Sequence, residues 1–238
     1  MNYTITTDKG SIDYTLIRKK MKSIRIRVTG ASKVVVSAPY HTAQSRIDQF
    51  VQNNNTFILS HLEDINSKRR LHYPADYQNG DTFWCLGKEM LLRVDESANR
   101  YAILNDDILS LHMPQGSDFS QRKVLFILWM NRYAKVIFSQ RAEKILPEFS
   151  DLVKQSMHIS VKNMLTRWGS INTKRYTISL TVHLLRCEIP LIDYVIKHEL
   201  CHFAYANHTK AFYQMLDKHC PGYKQLDKKL SAYGLIDF

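Results

Sequence analysis

Between Pro190 and Ala206 the chain is apolar around nearly the whole circumference of a helix. At 100° per residue, Ile192, Ile196, Leu200 and Phe203 share one side, while Leu191, Tyr194, Val195, Cys201 and Tyr205 flank His198 and His202 on the other. Only Asp193, Lys197 and Ala204 make a narrow non-hydrophobic strip. A helix of this kind must be buried on two sides, which requires a layered domain around it. Two histidines and Glu199 inside such a helix need partners, since unpaired buried polar groups cost about 1–3 kcal/mol each.

A metal ion is the economical partner. His198 and His202 stand at i and i+4 on one helical face, with Glu199 beside them to handle a proton, in the pattern His-Glu-x-x-His. A pair of histidines alone could be ordinary core or surface residues; the glutamate, the apolar flanks and a third histidine, His208, argue for chemistry. A catalytic zinc takes three protein ligands and leaves one position open. No glutamate follows Glu199, so the candidates for the third ligand are His208, His219, Asp217 and Asp227. A continuous helix would carry His208 about 15 Å from His198, so the chain must turn after His202. Asn207, a residue that tolerates left-handed backbone, is the expected turning point, with Thr209 capping the next helix. His208 is then the best third ligand, and His219 reads as a helix-end histidine. Glu199 would take a proton from a water activated at the metal and return it to the leaving amine. Cys201 reads as a buried thiol, not a ligand, and Tyr205, Tyr213 and Tyr223 are unranked candidates for oxyanion donors.

The rest of the chain predicts an α+β fold: a β-rich N-terminal region over residues 1–115 with one helix, then a compact zincin-like core of helices and sheet over 116–238 carrying the active-site helix. Ile24-Arg25-Ile26-Arg27-Val28 alternates in the strand period and predicts a hairpin with Val34-Val35-Val36 through a Gly30 turn. After Pro39, Ile47, Phe50, Val51, Ile58 and Leu62 follow helical spacing, with Thr42 as the expected cap and Asn53-Asn54-Asn55 as an expected break. Asn79-Gly80 predicts a turn ahead of strands over 82–86, 90–94, 101–104 and 108–112. From Asp118 to Leu146 the pattern is helical, and Pro147 stops it. Strands are predicted over 158–164 and 177–182, Pro190 opens the motif helix, and Thr209 opens a helix through Lys218. Arg167-Trp168-Gly169-Ser170 reads either as a packed turn or as the border of a cleft whose exposed edge strand can pair with substrate backbone.

Bulk properties narrow the class. The longest apolar run, Val124 to Met130, is far too short to span a bilayer, and the N-terminus has neither a basic nor an apolar signal segment, so no membrane partner and a cytoplasmic location are expected. Cys85, Cys187, Cys201 and Cys220 lack Cys-x-x-Cys spacing, which argues against a disulfide framework and a cysteine-built zinc site. The net charge of +11 attracts polyanions or acidic surfaces. Arg18, Lys19, Lys20, Lys22, Arg25 and Arg27 form a dense basic stretch that fits either a solvated strand face or a nucleic-acid contact, which salt-dependent binding would separate. No oligomeric state is specified.

The chain resembles the YgjP-like metallopeptidases, a family related to the WLM and SprT-like zinc peptidases. The likeness is carried by Ile24 to Val28, Val34 to Pro39, the strands around Gly80 and Gly87, Arg167 to Ser170, Pro190 with Asp193-Tyr194-Val195, His198 to His202, Asn207-His208, Phe212, and Cys220-Pro221-Gly222-Tyr223. Ile171 stands where the family commonly has cysteine, Thr181 where it has asparagine, and Tyr213 where it often has tryptophan; none is a candidate ligand. The resemblance implies a zinc-dependent peptidase acting on peptides or proteins, with His198, His202 and His208 as ligands and Glu199 as base. Metal binding without turnover, in a structural or regulatory role, is the competing expectation.

Overall fold

The computed structural model describes residues 2–7, 10–28, 34–68, 73–235 and 238. These divide into two compact units, Met1–Arg70 with Asp237 and Leu71–Ile236 with Phe238. The architecture is α+β, as expected from the alternation of strand and helix periods.

In the first unit, β1 (Asn2–Thr7), β2 (Gly10–Arg18), β3 (Arg25–Val28) and β4 (Val34–Ala38) form a sheet in the order β1-β2-β4-β3. The predicted hairpin is present: Arg25 pairs with Ser37, Ile26 with Val36, Arg27 with Val35 and Val28 with Val34. Its Gly30 turn lies outside the described residues. Period-two alternation puts Ile12, Tyr14, Leu16, Val34 and Val36 into a core with Ile47, Val51 and Ile58 of the helices. Arg25 and Arg27 are exposed on the other face. The helical stretch breaks where the asparagines stand, into α1 (Gln44–Asn53) and α2 (Asn55–Lys68). Thr42 is not the cap: Ala43 precedes α1 without a side-chain hydrogen bond, and the Thr42 carbonyl accepts from Arg18 Nη1 at 2.6 Å.

The second unit begins with a sheet ordered β5-β6-β8-β7, built from β5 (Thr82–Cys85), β6 (Lys88–Glu96), β7 (Tyr101–Asn105) and β8 (Ile108–Met113). Helix α3 (Phe119–Ile145) starts at a capping box in which Asp118 and Gln121 satisfy each other's backbone N–H groups, and it passes into a 3-10 turn, Leu146–Phe149, containing Pro147. The element type changes between residues 113 and 119, but packing does not divide there. Phe83, Leu92, Leu109 and Leu111 of the sheet share one core with Phe126, Met130 and Phe138 of α3, so the division between compact units falls after Arg70. Phe126 anchors this core edge-on to Phe83 at 5.0 Å and Tyr77 at 5.3 Å between ring centroids, contacts worth about 0.5–1.5 kcal/mol each beyond area burial.

A three-stranded sheet follows, β10-β11-β9, from β9 (His158–Lys162), β10 (Gly169–Asn172) and β11 (Thr177–Thr181). Next come a 3-10 turn Val182–Arg186, α4 (Ile189–Cys201), α5 (Lys210–His219) and α6 (Tyr223–Tyr233). The start of α4 is fixed by the β5–β6 turn, where Leu86 N donates to Leu185 O at 2.7 Å and Gly87 N to Arg186 O at 3.1 Å. Gly87, at φ +79°, allows this approach: a Cβ there would lie 2.3 Å from Glu188 Cγ.

Candidate active site

Helix α4 is buried on two sides, as its apolar circumference requires: Leu191, Ile192, Tyr194, Val195, Ile196, Glu199, Leu200 and Cys201 are all buried. The polar strip is taken up from outside. Arg141 of α3 grips Asp193 with two hydrogen bonds of 2.7 and 2.6 Å, and Lys197 donates to Glu148 and to the His219 carbonyl, each at 2.8 Å. With both faces held, α4 has little freedom to rotate, and the direction in which His198 and Glu199 project is set by the core.

The helix ends earlier than its sequence suggests, at Cys201, with His202 as C-cap. Its last turn tightens into i→i+3 bonds: His202 N donates to Glu199 O, Phe203 N to Leu200 O and Ala204 N to Cys201 O, each at 3.1 Å. The reversal is thus made over residues 202–205 and not at Asn207, which has no left-handed φ. Thr209 then caps α5 through its hydroxyl, which accepts from Phe212 N at 3.4 Å.

This reversal brings the three candidate histidines together. One ring nitrogen from each of His198, His202 and His208 lies within 4.8 Å of the others, and His198 Nε2 is 2.9 Å from His208 Nε2. A tetrahedral ion with imidazole donors about 2.0–2.1 Å away holds any two of them about 3.4 Å apart, so the donor set has the dimensions of such a site. His202 Nδ1 stands 2.9 Å from the Tyr205 carbonyl, which can only accept. The proton therefore sits on Nδ1 and the Nε2 lone pair is left for an ion, the usual way a second contact orients a ligating histidine. Burial, then the neighbouring His202 and His208, pushes the His198 pKa down to about 4, so its ring is neutral at physiological pH. Burial, then His202, also lowers that of His208.

The other candidates stand elsewhere. His219 stacks on Phe149 at 4.2 Å and 24°, and Asp217 is exposed on α5. Asp227 of α6 accepts from Tyr194 OH at 3.0 Å and borders the cleft. Cys201 is buried and outside the histidine cluster, its thiol pushed up to about 12 by burial.

Glu199 is buried beside the cluster, and burial raises its carboxyl to about 7 while Arg167 draws it down. It faces β10, where Gly169 leaves room for it: a Cβ at Gly169 would lie 2.7 Å from Glu199 Oε1 and 3.0 Å from Val195 Cγ1. The Arg167–Ser170 segment thus borders the cleft, with Gly169 and Ser170 on an edge strand. The cleft has a volume of about 760 Å³, within the range of small-molecule and peptide sites, between β10, α4 and α6.

Two features escape a reading of the motif alone. Phe212, fully buried, underlies all three imidazoles with ring centroids 5.0, 4.8 and 4.7 Å from His198, His202 and His208. Its sequence signals, a place three residues after the Thr209 cap and a share in the family likeness, do not disclose this contact. Tyr213 stacks on His208 at 6.1 Å and on Tyr223 at 5.9 Å, which places one candidate tyrosine beside the cluster and a second behind it.

Comparison with known proteins decides the family. The model of the YgjP-like metallopeptidase domain matches residues 22–233. The chain belongs to the YgjP-like metallopeptidases. Membership implies a metal ion and peptide or protein substrates. Among solved structures, the chain is similar to the metallopeptidase zymogen of Methanocaldococcus jannaschii jannalysin, at TM-score 0.35 and 23% identity over 40% of this chain and 93% of that one. It is also similar to the zymogen of Pyrococcus abyssi abylysin, at TM-score 0.33 and 21% identity over 37% of this chain and 90% of that one. No curated protein matches. Among the described residues, no helix of this metallopeptidase is long and apolar enough to cross a membrane.

Proposed function

We infer that this YgjP-like protein is a zinc-dependent peptidase in which His198, His202 and His208 hold the ion and Glu199 is the general base and acid. The observation that carries the reading is the convergence of three imidazole nitrogens within 4.8 Å of one another, next to a buried carboxylate that faces an edge strand. Three imidazole nitrogen donors suit zinc and leave a fourth position open.

When bound, zinc supplies Lewis acidity to a water molecule and to the scissile carbonyl. The protein's part begins with β10, whose unpaired edge can bind an extended substrate backbone and lay the scissile bond along the cleft. Glu199, on the cleft side of α4, accepts a proton from the attacking water and passes it to the departing amine. Tyr205 O fixes His202 through Nδ1, and Phe212 sets the tilt of all three rings from below, so the ligand set needs little reorganisation to bind its ion.

The test is cleavage of a degenerate peptide library by metal-replete wild type and Glu199→Gln, with zinc measured on both. Wild type should cleave and carry about one zinc per chain, and Glu199→Gln should keep its zinc while losing at least about 100-fold in rate. Cleavage by neither protein, with zinc bound to both, would favour a structural or regulatory metal instead. Equal cleavage by both would remove Glu199 from the mechanism.

A further inference from the structure

Strand β7 ends its sheet, and an unpaired edge is a template for further pairing that proteins usually cover, charge or interrupt. At the opposite end, the turn after β5 is tied down by the bonds from Leu86 and Gly87 to residues 185 and 186. β7 has no comparable cover among the described residues, and its sequence, Tyr-Ala-Ile-Leu-Asn, contains neither proline nor a charge. Around it several large apolar side chains are exposed, on a face they share with Arg93 and Asp95. Tyr101 and Ile103 are 41% and 42% exposed on the outer face of the sheet, and Leu91 and Ile108 are exposed on that same face. On the other side, α3 turns Val124 and Leu128 outward at 57% and 49% exposure. A groove of about 490 Å³ runs between β7 and α3, with Arg100 and Arg132 in its walls.

The strand's own sequence indicates what fits there. When β7 is laid antiparallel on a second copy about Ile103, every one of its residues is paired: Tyr101 with the second copy's Asn105, Ala102 with its Leu104, and Ile103 with its Ile103. No other antiparallel register pairs the whole strand. This register also sets Arg100 opposite the second copy's Asp106, and symmetry repeats the match at the other end. Neither Arg100 nor Asp106 has a hydrogen bond or ion pair among the described residues, so both charges are available. A parallel alignment would instead bring Arg100 beside Arg100.

The geometry points to an isologous dimer in which β7 of two copies pairs antiparallel about Ile103. Two four-stranded sheets become one eight-stranded sheet, closed at each end of the new ladder by an Arg100–Asp106 pair. Ile103 meets its own counterpart across the two-fold axis, the cross-strand contact in which apolar side chains stabilise a sheet most directly. Arg132, in the wall of the same groove, adds a second cation there. A heterologous partner with a conventional acidic surface would use the arginines but leave Asp106 unmatched, whereas a second copy uses both signs.

Light scattering coupled to size exclusion tests this on the full chain. From about 1 to about 100 µM, wild type should pass from 27.8 kDa toward twice that mass. Ile103→Lys, at an exposed position that leaves the core untouched, should remain monomeric. Arg100→Glu and Asp106→Lys should each weaken the dimer at least about tenfold, through like charges at both ends. An equimolar mixture of these two variants should dimerise again. In the mixed pair the introduced glutamate faces the introduced lysine at one end of the ladder, and the native Asp106 faces the native Arg100 at the other. Circular dichroism on each variant reports folding, which matters at Asp106 because its φ is +49°. A wild type that stays monomeric throughout, a dimer indifferent to Ile103→Lys, or a mixture of folded variants that stays monomeric would overturn the proposal. The first outcome would leave the groove to a different partner.

Discussion

Gly169 lies directly against Glu199: the place where a side chain at 169 would begin is 2.7 Å from Glu199 Oε1, so any larger residue there requires the carboxyl to shift. The relationship couples the edge strand to the proposed base. Gly169→Ala should push Glu199 off line by several tenths of an ångström while leaving the histidines in place. Peptidase activity should fall by about 10–100-fold, the scale on which small misplacements act, with zinc content unchanged. Loss of zinc together with activity would mean that the position matters for ligand geometry instead.

Thr209 links the last proposed ligand to the residue beneath all three rings, since its hydroxyl caps α5 through Phe212 N and it follows His208 directly. Thr209→Ala should lower stability by about 0.5–1 kcal/mol, read as a lower midpoint in denaturant, and Thr209→Ser should recover it. If the cap also holds His208 in register, Thr209→Ala should release zinc faster to a chelator. An unchanged release rate would confine the threonine to helix stability.

The cysteines offer a pH test away from the site. Cys85 and Cys187 are fully buried, and burial pushes each thiol up to about 12. A raised thiol pKa means that the thiolate, the reactive form, stays scarce until strongly alkaline pH. Native protein should therefore leave both unmodified by a thiol reagent between about pH 7 and 10, and both should react once the chain is unfolded. Peptide mapping that finds either residue labelled in native protein at pH 8 would contradict their placement.

Much of the proposed site could be read from residue types, because its constraints are local. The apolar circumference of α4 specified a helix buried on two sides, the i, i+4 spacing put His198 and His202 on one face, and Thr209 announced α5. Asn207 misled because the chain reverses by tightening the helix end at His202, a choice made by backbone hydrogen bonds that leave no mark in residue type. Thr42 misled in the same way, its carbonyl rather than its hydroxyl being engaged, by Arg18. The use of Gly169 and Phe212 was not legible, since both depend on elements brought together from distant sequence. Arg186 and His183 are fully buried, against the ordinary habit of their residue types. The change of element type near residue 115 was plain in the sequence, but sheet and α3 share one core across it, and only packing shows that.

The proposed mechanism stands on zinc held by three imidazole nitrogens and by no sulfur. Zinc-edge X-ray absorption on the purified, metal-replete protein reads that donor set. The protein should carry about one zinc per chain with nitrogen or oxygen neighbours at about 2.0–2.1 Å and no shell at the sulfur distance of about 2.3 Å, and His208→Ala should lose the bound ion. A sulfur shell, absence of zinc from wild type, or an unaltered spectrum in His208→Ala would contradict it.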